Sequence, residues 1–358
     1  MRNGELIQFS SPRYYQGRGV LEKLGQEAWL LGRRALIVAD DTVWEKANKF
    51  LLPPLKEKGI TWFRYPFSGI CAESNYARAA QAGRGEGCDL VIGCGGGRAL
   101  DTAKIASDLM EVRCITVPSS AATCAATAWL SVHYREDGSM IGNYWVKFSP
   151  FATFSDLRLL VDQCPMRFHI AGMIDAMAKF PEIVYNIGKG NVYVRNAFSD
   201  TAAVVARHLF DELLSLGPRM LKRPSEEEWE RMLALNLQIT GLTLALACGG
   251  KQAAVSHQLY AYVCDRYPAV ARHRLHGEIV GASLLYQLRL DGEEEAARAL
   301  KSFLISAGAP LCMTDLGLPA GQESLQDMLN YLMEKLPVES DGEEKALRRH
   351  AGLLIASE

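Results

Sequence analysis

The stretch Gly93-Cys94-Gly95-Gly96-Gly97-Arg98-Ala99-Leu100-Asp101-Thr102-Ala103-Lys104 constrains the fold more than any other part of this chain. It follows an apolar run, Asp89-Leu90-Val91-Ile92, that reads as a buried parallel strand. It opens a segment with Leu100, Ala103, Ile105, Ala106 and Leu109 at helical spacing. Strand, glycine turn and helix together aim free backbone N–H groups and the positive end of a helix dipole at an anion. The consecutive glycines Gly95, Gly96 and Gly97 carry no Cβ, so a pyrophosphate can come close to the backbone. The common dinucleotide fingerprint G-x-G-x-x-G fails here because Arg98 stands where its third glycine belongs. A Walker loop fails because no Gly-Lys-Ser/Thr follows. Taken alone, the glycines also suit a tight strand-to-helix turn with no ligand.

The flanking sequence repeats the alternation. Residues 34–39 (RALIVA) form an apolar run ending in Asp40-Asp41, and a helical pattern follows through Leu55. A weaker strand spans 62–67, a helix 73–86 and a further strand 113–117, closed by Pro118. Alternating strands and helices predict a Rossmann-like parallel sheet with helices on both faces, and ligands in such folds sit at the carboxyl ends of the strands. Asp40, the glycine turn and Pro118-Ser119 all fall there. From about Pro165 the strand signals give way to long helical patterns. Ser225-Glu226-Glu227-Glu228 is a capping box opening an apolar helix, which Gly249-Gly250 is expected to end. The tail from Gly292 reads as charged amphipathic helix broken near Pro310 and Pro319. The expected organisation is an α/β domain over residues 1–162 and an all-α domain over 163–358, packed tightly with a cleft between them.

Composition removes several classes of function. The 358 residues carry a net charge of −2 with no basic block, which argues against a nucleic-acid partner. The most apolar run, 232–248, contains Asn236, Gln238, Thr240 and Thr243, so it reads as a buried helix and not a membrane span. The N-terminal segment has no apolar core of a signal peptide. Nine cysteines, scattered with no C-x-x-C pair, point to a reducing compartment, and the expected location is the cytoplasm.

Asp40, at the end of an early strand, is placed either to accept hydrogen bonds from an adenosine ribose or to cap the next helix. In the first role its charge would repel a 2′-phosphate and favour NAD over NADP.

Read whole, G-G-G-R-x-x-D-T-A-K resembles the hallmark G-G-G-K/S-x-x-D-x-x-K of the iron-containing alcohol dehydrogenase and glycerol dehydrogenase superfamily. Arg98 keeps the positive charge of the family lysine. Dehydroquinate synthases resemble it less, since their turn continues differently. The segment from Val117 to Tyr134 is similar to the family's V-P-T-x-A-S-T-D-A-x-x-S-x-L-S-V-x-Y. The resemblance puts Asp40, Gly95, Gly96, Gly97, Arg98, Asp101, Ser119, Leu130 and Tyr134 at the cofactor, with Ala122 and Ala128 replacing family serines. Cys124 stands where the family has an aspartate that touches the hydroxyls of glycerol, so it is placed at the substrate. The A-A-T-C-A-A variant is similar to hydroxycarboxylate dehydrogenases, which act on 2-oxo acids. From the residue alone, Cys124 also suits a small packing position.

Three further segments resemble the family's metal centre: A-G-M-I-D-A-M-A-K around Asp175, A-A-V-S-H around His257 and L-H-G-E around His276. One carboxylate and two imidazoles leave an open position for a substrate oxygen. Such a metal stabilises a developing alkoxide while hydride moves to or from nicotinamide. Zinc fits the set, and iron serves other relatives. Three departures stand out: Tyr260 replaces a second family histidine, Pro181 is expected to kink the helix after Asp175, and the 257–276 interval is one residue longer. Glu182 matches a family glutamate behind the ligands, and His273 is a candidate proton relay. The resemblance implies a metal-dependent NAD(H) oxidoreductase interconverting a small alcohol, a 2-hydroxy acid or a glycerol-like polyol, with its carbonyl. It also implies a homo-oligomer with no membrane partner. The alternatives are a sugar-phosphate cyclase of the dehydroquinate synthase type, which uses NAD transiently, and a catalytically altered relative.

Overall fold

The structure is a computed structural model that describes residues 8–189, 196–247, 253–336, 338 and 340–356. Gly249-Gly250, the expected helix stop, lie outside the described residues. Among the described residues no helix is long and apolar enough to cross a membrane.

Six strands form one parallel sheet: β1 (Tyr14–Gly17), β2 (Arg34–Ala39), β3 (Thr61–Pro66), β4 (Leu90–Gly95), β5 (Arg113–Pro118) and the last of the sheet, which follows a hairpin. The hairpin consists of β6 (Leu130–Tyr134) and β7 (Met140–Trp145), paired antiparallel as a separate two-stranded sheet. The sixth strand of the main sheet is then β8 (Ala152–Asp156), and the order is β1-β8-β5-β4-β2-β3.

Both faces are covered because the strands alternate apolar residues on each side. Ala35, Ile37 and Ala39 pack on one face with Leu21, Leu24, Leu51, Leu55 and Phe154. Leu36 and Val38 pack on the other with Ala79, Ala80, Ala103 and Ala106. The strands 34–39, 62–67, 89–92 and 113–117 read from the sequence are all present. β1, β8 and the β6–β7 hairpin had not been anticipated. They are four to six residues long and lack the continuous apolar run of buried parallel strands.

Strand order reverses at β2, which pairs with β3 on one side and β4 on the other. The register Val38↔Gly93 and Gly95↔Pro118 brings the carboxyl ends of β2, β4 and β5 level, so Asp40, Gly96 and Ser119 share one rim.

By contacts the chain divides into two compact units. One comprises Ile7–His169 together with Trp229–Ala245, and the other contains Ile170–Glu228 and Leu246–Glu358. The second stretch of the sheet-bearing unit belongs there for a visible reason. The helix Glu226–Ala234 begins with the expected capping box, with Glu228 N–H donating to Ser225 Oγ at 3.2 Å and Ser225 N–H to Glu228 Oε2 at 2.8 Å. It then widens into a π turn over Leu235–Ile239 before Thr240–Leu246 resumes the α form. The π turn frees backbone carbonyls. Thr127 Oγ1 donates to Leu237 O at 2.7 Å, and Asn236 Nδ2 donates to Ala121 O and His169 O at 3.1 and 3.2 Å. These bonds tie the helix to the loop after β5 and to His169.

The other unit is helical. Met166–Lys189 runs as one helix that Pro181 does not end, although the ring removes the hydrogen bond that position would make. The helices Ala197–Met220, Val255–Arg266, His276–Leu290, Glu294–Ala307, Gln322–Lys335 and Asp341–Arg349 follow, with the expected breaks near Pro310 and Pro319.

His169 supplies a pH-sensitive element. It is fully buried; its Nε2–H donates to Leu160 O at 2.7 Å, its Nδ1 has no partner, and its ring lies edge-on to Trp229. Burial disfavours the charged imidazole and pushes its pKa down to about 4 from 6.5, with the Leu160 carbonyl opposing this weakly. The unfolded chain takes up this proton below pH 6.5 and the folded chain only near 4. Stability is therefore full above 6.5 and falls as pH drops through that window, by about 3 kcal/mol for this one group. His169→Gln keeps a donor for Leu160 and should lose less stability than the wild type between pH 7.5 and 4.5 in urea unfolding. Equal losses would remove His169 as the source.

Candidate metal centre and cofactor cradle

The glycine turn works by close packing first. A Cβ on Gly95 would lie 2.7 Å from the Ala99 methyl, and one on Gly93 would lie 2.7 Å from that of Ala103, so the helix Gly97–Met110 sits tight against β4. Gly96 is different. It is the N-cap of that helix, no side chain caps it, and the nearest atom to a Cβ there is Ser120 Oγ at 3.7 Å. Its first turn therefore presents unclaimed N–H groups.

A cavity of about 380 Å³ opens beside it, lined among others by Asp40, Lys46, Gly96, Ser119, Ser120 and Phe168. Asp40 caps the helix Asp41–Glu57, with Oδ1 accepting from Val43 N–H at 2.9 Å. Its Oδ2 lies 4.0 Å from where a Gly95 Cβ would be, on the glycine-turn side. The capping reading of Asp40 is thus met by Oδ1, and Oδ2 is left on the rim of the glycine turn. Ser119 is fixed by its N–H donating to Gly95 O at 2.9 Å.

The remaining residues that the sequence placed at the cofactor do not line this cavity. Arg98 is half-buried on the first turn of the helix. Asp101 is buried, with Oδ1 2.9 Å from Lys104 Nζ and Oδ2 accepting from Val132 N–H at 3.3 Å. Burial raises its pKa, with Lys104 opposing. Lys104 Nζ donates to the carbonyls of Ala128 and Leu130 at 3.2 and 2.5 Å. The D-x-x-K pair thus fastens the start of β6, the strand that carries Leu130 and Tyr134. Tyr134 is buried and its N–H donates to Cys71 O at 3.0 Å. Cys124 packs among Ala128, Leu130, Val132 and Leu244.

The second site lies wholly in the helical unit. Asp175 sits on Met166–Lys189, His257 on Val255–Arg266, and His276 is the first residue of His276–Leu290. Their ligand atoms all lie within 4.8 Å of one another. Asp175 Oδ1 is 3.4 Å from His257 Nε2 and 3.3 Å from His276 Nε2, and the two Nε2 atoms are 3.4 Å apart.

Each ligand is held by a specific neighbour. Glu182 Oε1 accepts the backbone N–H groups of Ala254 and His257, and Oε2 accepts His257 Nδ1–H at 2.5 Å, so Nε2 faces the other ligands. Tyr260 lies edge-on to the His276 ring with centroids 4.2 Å apart, which gives this departure from the family pattern a bracing role. The H-G-E triplet divides its labour. His276 supplies an imidazole to the cluster, and Glu278 caps the helix by accepting Leu275 N–H at 3.0 Å. Gly277 meets the backbone of Ala171, where a Cβ would lie 1.8 Å from the carbonyl oxygen. Lys179, one turn after Asp175, places Nζ 3.2 Å from both Asp175 Oδ1 and His257 Nε2. Lys179, Glu278 and Gly277 fall within the sequence motifs, where no pattern assigns them a role. Packing distances across helices were needed to see what they do.

The charges follow from these contacts. Burial would raise the Asp175 carboxyl, but Lys179 and the two imidazoles hold it well below the ordinary carboxylate range. Burial opposes ionised Glu182, which is lowered because His257 outweighs it. His257 is raised, since Glu182 overcomes burial, whereas burial wins at His276 despite Asp175 and lowers it.

Fold and site together define a protein built on a parallel-sheet unit and a helical unit bearing a carboxylate–imidazole cluster, and the comparisons give that class its family. The sequence model of the family described as iron-containing alcohol dehydrogenase matches residues 11–155. An uncharacterized oxidoreductase of Synechocystis is 31% identical over 318 residues, covering 87% of this chain and 80% of the relative. A glycolaldehyde reductase of Halobacterium salinarum is 29% identical over 319 residues, covering 87% and 85%. The crystal structure of a probable glycerol dehydrogenase from Sinorhizobium meliloti 1021 superimposes with a TM-score of 0.82 at 23% identity, covering 98% of each chain. The chain belongs to the iron-containing alcohol dehydrogenase family and is an oxidoreductase.

Proposed function

We propose that the chain is a metal-dependent NAD(H) oxidoreductase that interconverts a small alcohol, a 2-hydroxy acid or a glycerol-like polyol, with its carbonyl. The observation that carries this reading is the convergence of Asp175, His257 and His276, with Glu182 fixing the tautomer of His257 so that a lone pair faces the shared centre. The donor set, one carboxylate oxygen and two imidazole nitrogens, fits a divalent metal, zinc ahead of iron. A metal so held supplies Lewis-acid stabilisation of the substrate oxygen as hydride passes between the carbon and nicotinamide.

For the cofactor, the uncapped helix start at Gly96 fits a pyrophosphate, and Asp40 Oδ2 and Ser119 stand on the same rim for the adenosine half. Asp101 and Lys104 act through β6, holding the backbone of the segment with Leu130 and Tyr134. The activity of the similar glycolaldehyde reductase supports small hydroxy-carbonyl compounds as substrates. The packing around Cys124 makes that position apolar, which supports substrates other than glycerol itself.

The test is NADH consumption by metal-stripped protein against 2-oxo acids, dihydroxyacetone and simple aldehydes, with zinc and then ferrous iron added back. Metal-dependent oxidation of NADH with one substrate class is expected. No net NADH turnover across the panel, with NAD still bound, would favour the cyclase reading instead.

One consequence concerns Glu182. Glu182→Gln leaves the volume unchanged but weakens the grip on His257 Nδ1–H and on two backbone donors. Zinc affinity should fall roughly 10- to 100-fold. Chelator competition measures it, and an unaltered affinity would show that His257 is oriented without Glu182.

A further inference from the structure

We propose that Lys179 contends with the metal for the lone pairs of Asp175 and His257 and so sets how tightly this chain holds its metal. The inference rests on the metal-centre reading above. Lys179 is 3% exposed, and its Nζ lies 3.2 Å from Asp175 Oδ1 and 3.2 Å from His257 Nε2. These are two of the three atoms assigned to the metal, and each sits within 3.4 Å of the third ligand atom, His276 Nε2.

Metal–ligand bonds are about 2.0–2.2 Å long, so an ion seated on these atoms would lie inside the triangle that Lys179 Nζ already approaches. An ammonium has only donors to offer, and the single lone pair on His257 Nε2 cannot serve it and a metal at once; at Asp175 Oδ1, which has more than one lone pair, the two cations compete through charge and space. The side chain is well suited to give way. Four rotatable bonds let Nζ swing, and Glu182, one turn further along the same helix, carries a negative charge that acts on Lys179 from the side away from Asp175 in sequence. The charge balance points the same way. Asp175 and Glu182 together match a divalent ion, and the lysine adds one positive charge beyond that match in a buried site. A neutral side chain at position 179 would leave the ion balanced.

The experiment compares zinc dissociation constants of the metal-stripped full-length wild type, Lys179→Met, Lys179→Gln and Lys179→Arg, using a chromophoric chelator as competitor. Asp175→Asn serves as the control for the metal centre itself. Both neutral variants should bind zinc at least ~10-fold more tightly than the wild type, because a like charge a few ångströms from the ion has been removed. Lys179→Arg keeps the charge and should not. A second readout is thermal: zinc should raise the melting temperature of the neutral variants more than that of the wild type. Lys179→Gln guards against a folding defect peculiar to methionine, and melting curves identify any such defect. If folded neutral variants bind zinc no more tightly than the wild type, while Asp175→Asn still weakens binding, the proposal for Lys179 is overturned and the metal centre stands. If zinc binding is the same in the wild type and Asp175→Asn, the metal-centre reading fails and this inference falls with it.

Discussion

Gly277→Ala should unfold or grossly loosen the helical unit and take the metal centre with it. The added Cβ would stand 1.8 Å from the Ala171 carbonyl oxygen and 2.6 Å from its carbon. Both are backbone atoms in a helix, so no rotamer change relieves the clash and the two helices must separate. One turn along, Gly281 is in the same position against Ile174, where a Cβ would lie 2.7 Å from Cγ2. The helix His276–Leu290 therefore has no looser register to slide into. Overpacking in cores costs about 1–3 kcal/mol when side chains can yield, and against fixed backbone the cost should be at least about 3 kcal/mol. The functional effect exceeds the loss of stability, because His276 precedes the substituted residue and Asp175 lies one turn beyond Ala171. Thermal unfolding and zinc stoichiometry measure the two effects. Gly85→Ala is the matched control: it closes the helix Glu73–Gly85, nothing lies within 4 Å of an added Cβ, and its stability should change by less than about 1 kcal/mol. A Gly277→Ala protein that melts like the wild type and binds added zinc as the wild type does would contradict the packing.

Asp175→Asn should give the largest loss of activity among folded variants. The substitution preserves size and leaves an oxygen for Lys179, but it removes the anionic ligand on which the cluster is centred. Lewis-acid stabilisation by a bound metal is worth several kcal/mol and each ~1.4 kcal/mol is tenfold, so kcat/KM should fall about a thousandfold or more. The dissociation constant for NADH should stay close to that of the wild type, since the proposed cofactor groups Asp40, Gly96 and Ser119 belong to the other compact unit. That split distinguishes loss of the metal from general damage. Retained turnover without the Asp175 carboxylate would remove it from the mechanism, whatever metal the protein carries.

The glycine turn and the short apolar strands were legible because their physics is local. A run such as Leu90-Val91-Ile92 has to be buried on both faces, and three glycines before a helical pattern leave few conformations. The carboxylate–imidazole cluster was legible only through resemblance. His257 lies 82 positions after Asp175 and His276 a further 19, and no periodicity of the intervening helices says that they converge. Helix ends and caps followed from sequence at Ser225–Glu228, where donor and acceptor are three residues apart. Short strands such as β1 and β8 did not, because four or five residues carry too little pattern and their pairing partners are distant in sequence.

What the sequence determined by itself was therefore the longer elements and the chemical inventory: a parallel sheet with its glycine turn, long helices after it, and one carboxylate and two imidazoles in family order. The tertiary structure decided which of these groups meet. It showed that Asp40 divides its two oxygens between helix capping and the glycine rim, and that Asp101 clamps a strand through Lys104. It showed that Glu182 orients His257, that Gly277 exists for the backbone of Ala171, and that Lys179 reaches both Asp175 and His257. The reason is that contacts across helices depend on distances of a few tenths of an ångström set by packing. A one-dimensional pattern specifies which face a residue occupies, and the atom it touches there is fixed only when the faces close on one another.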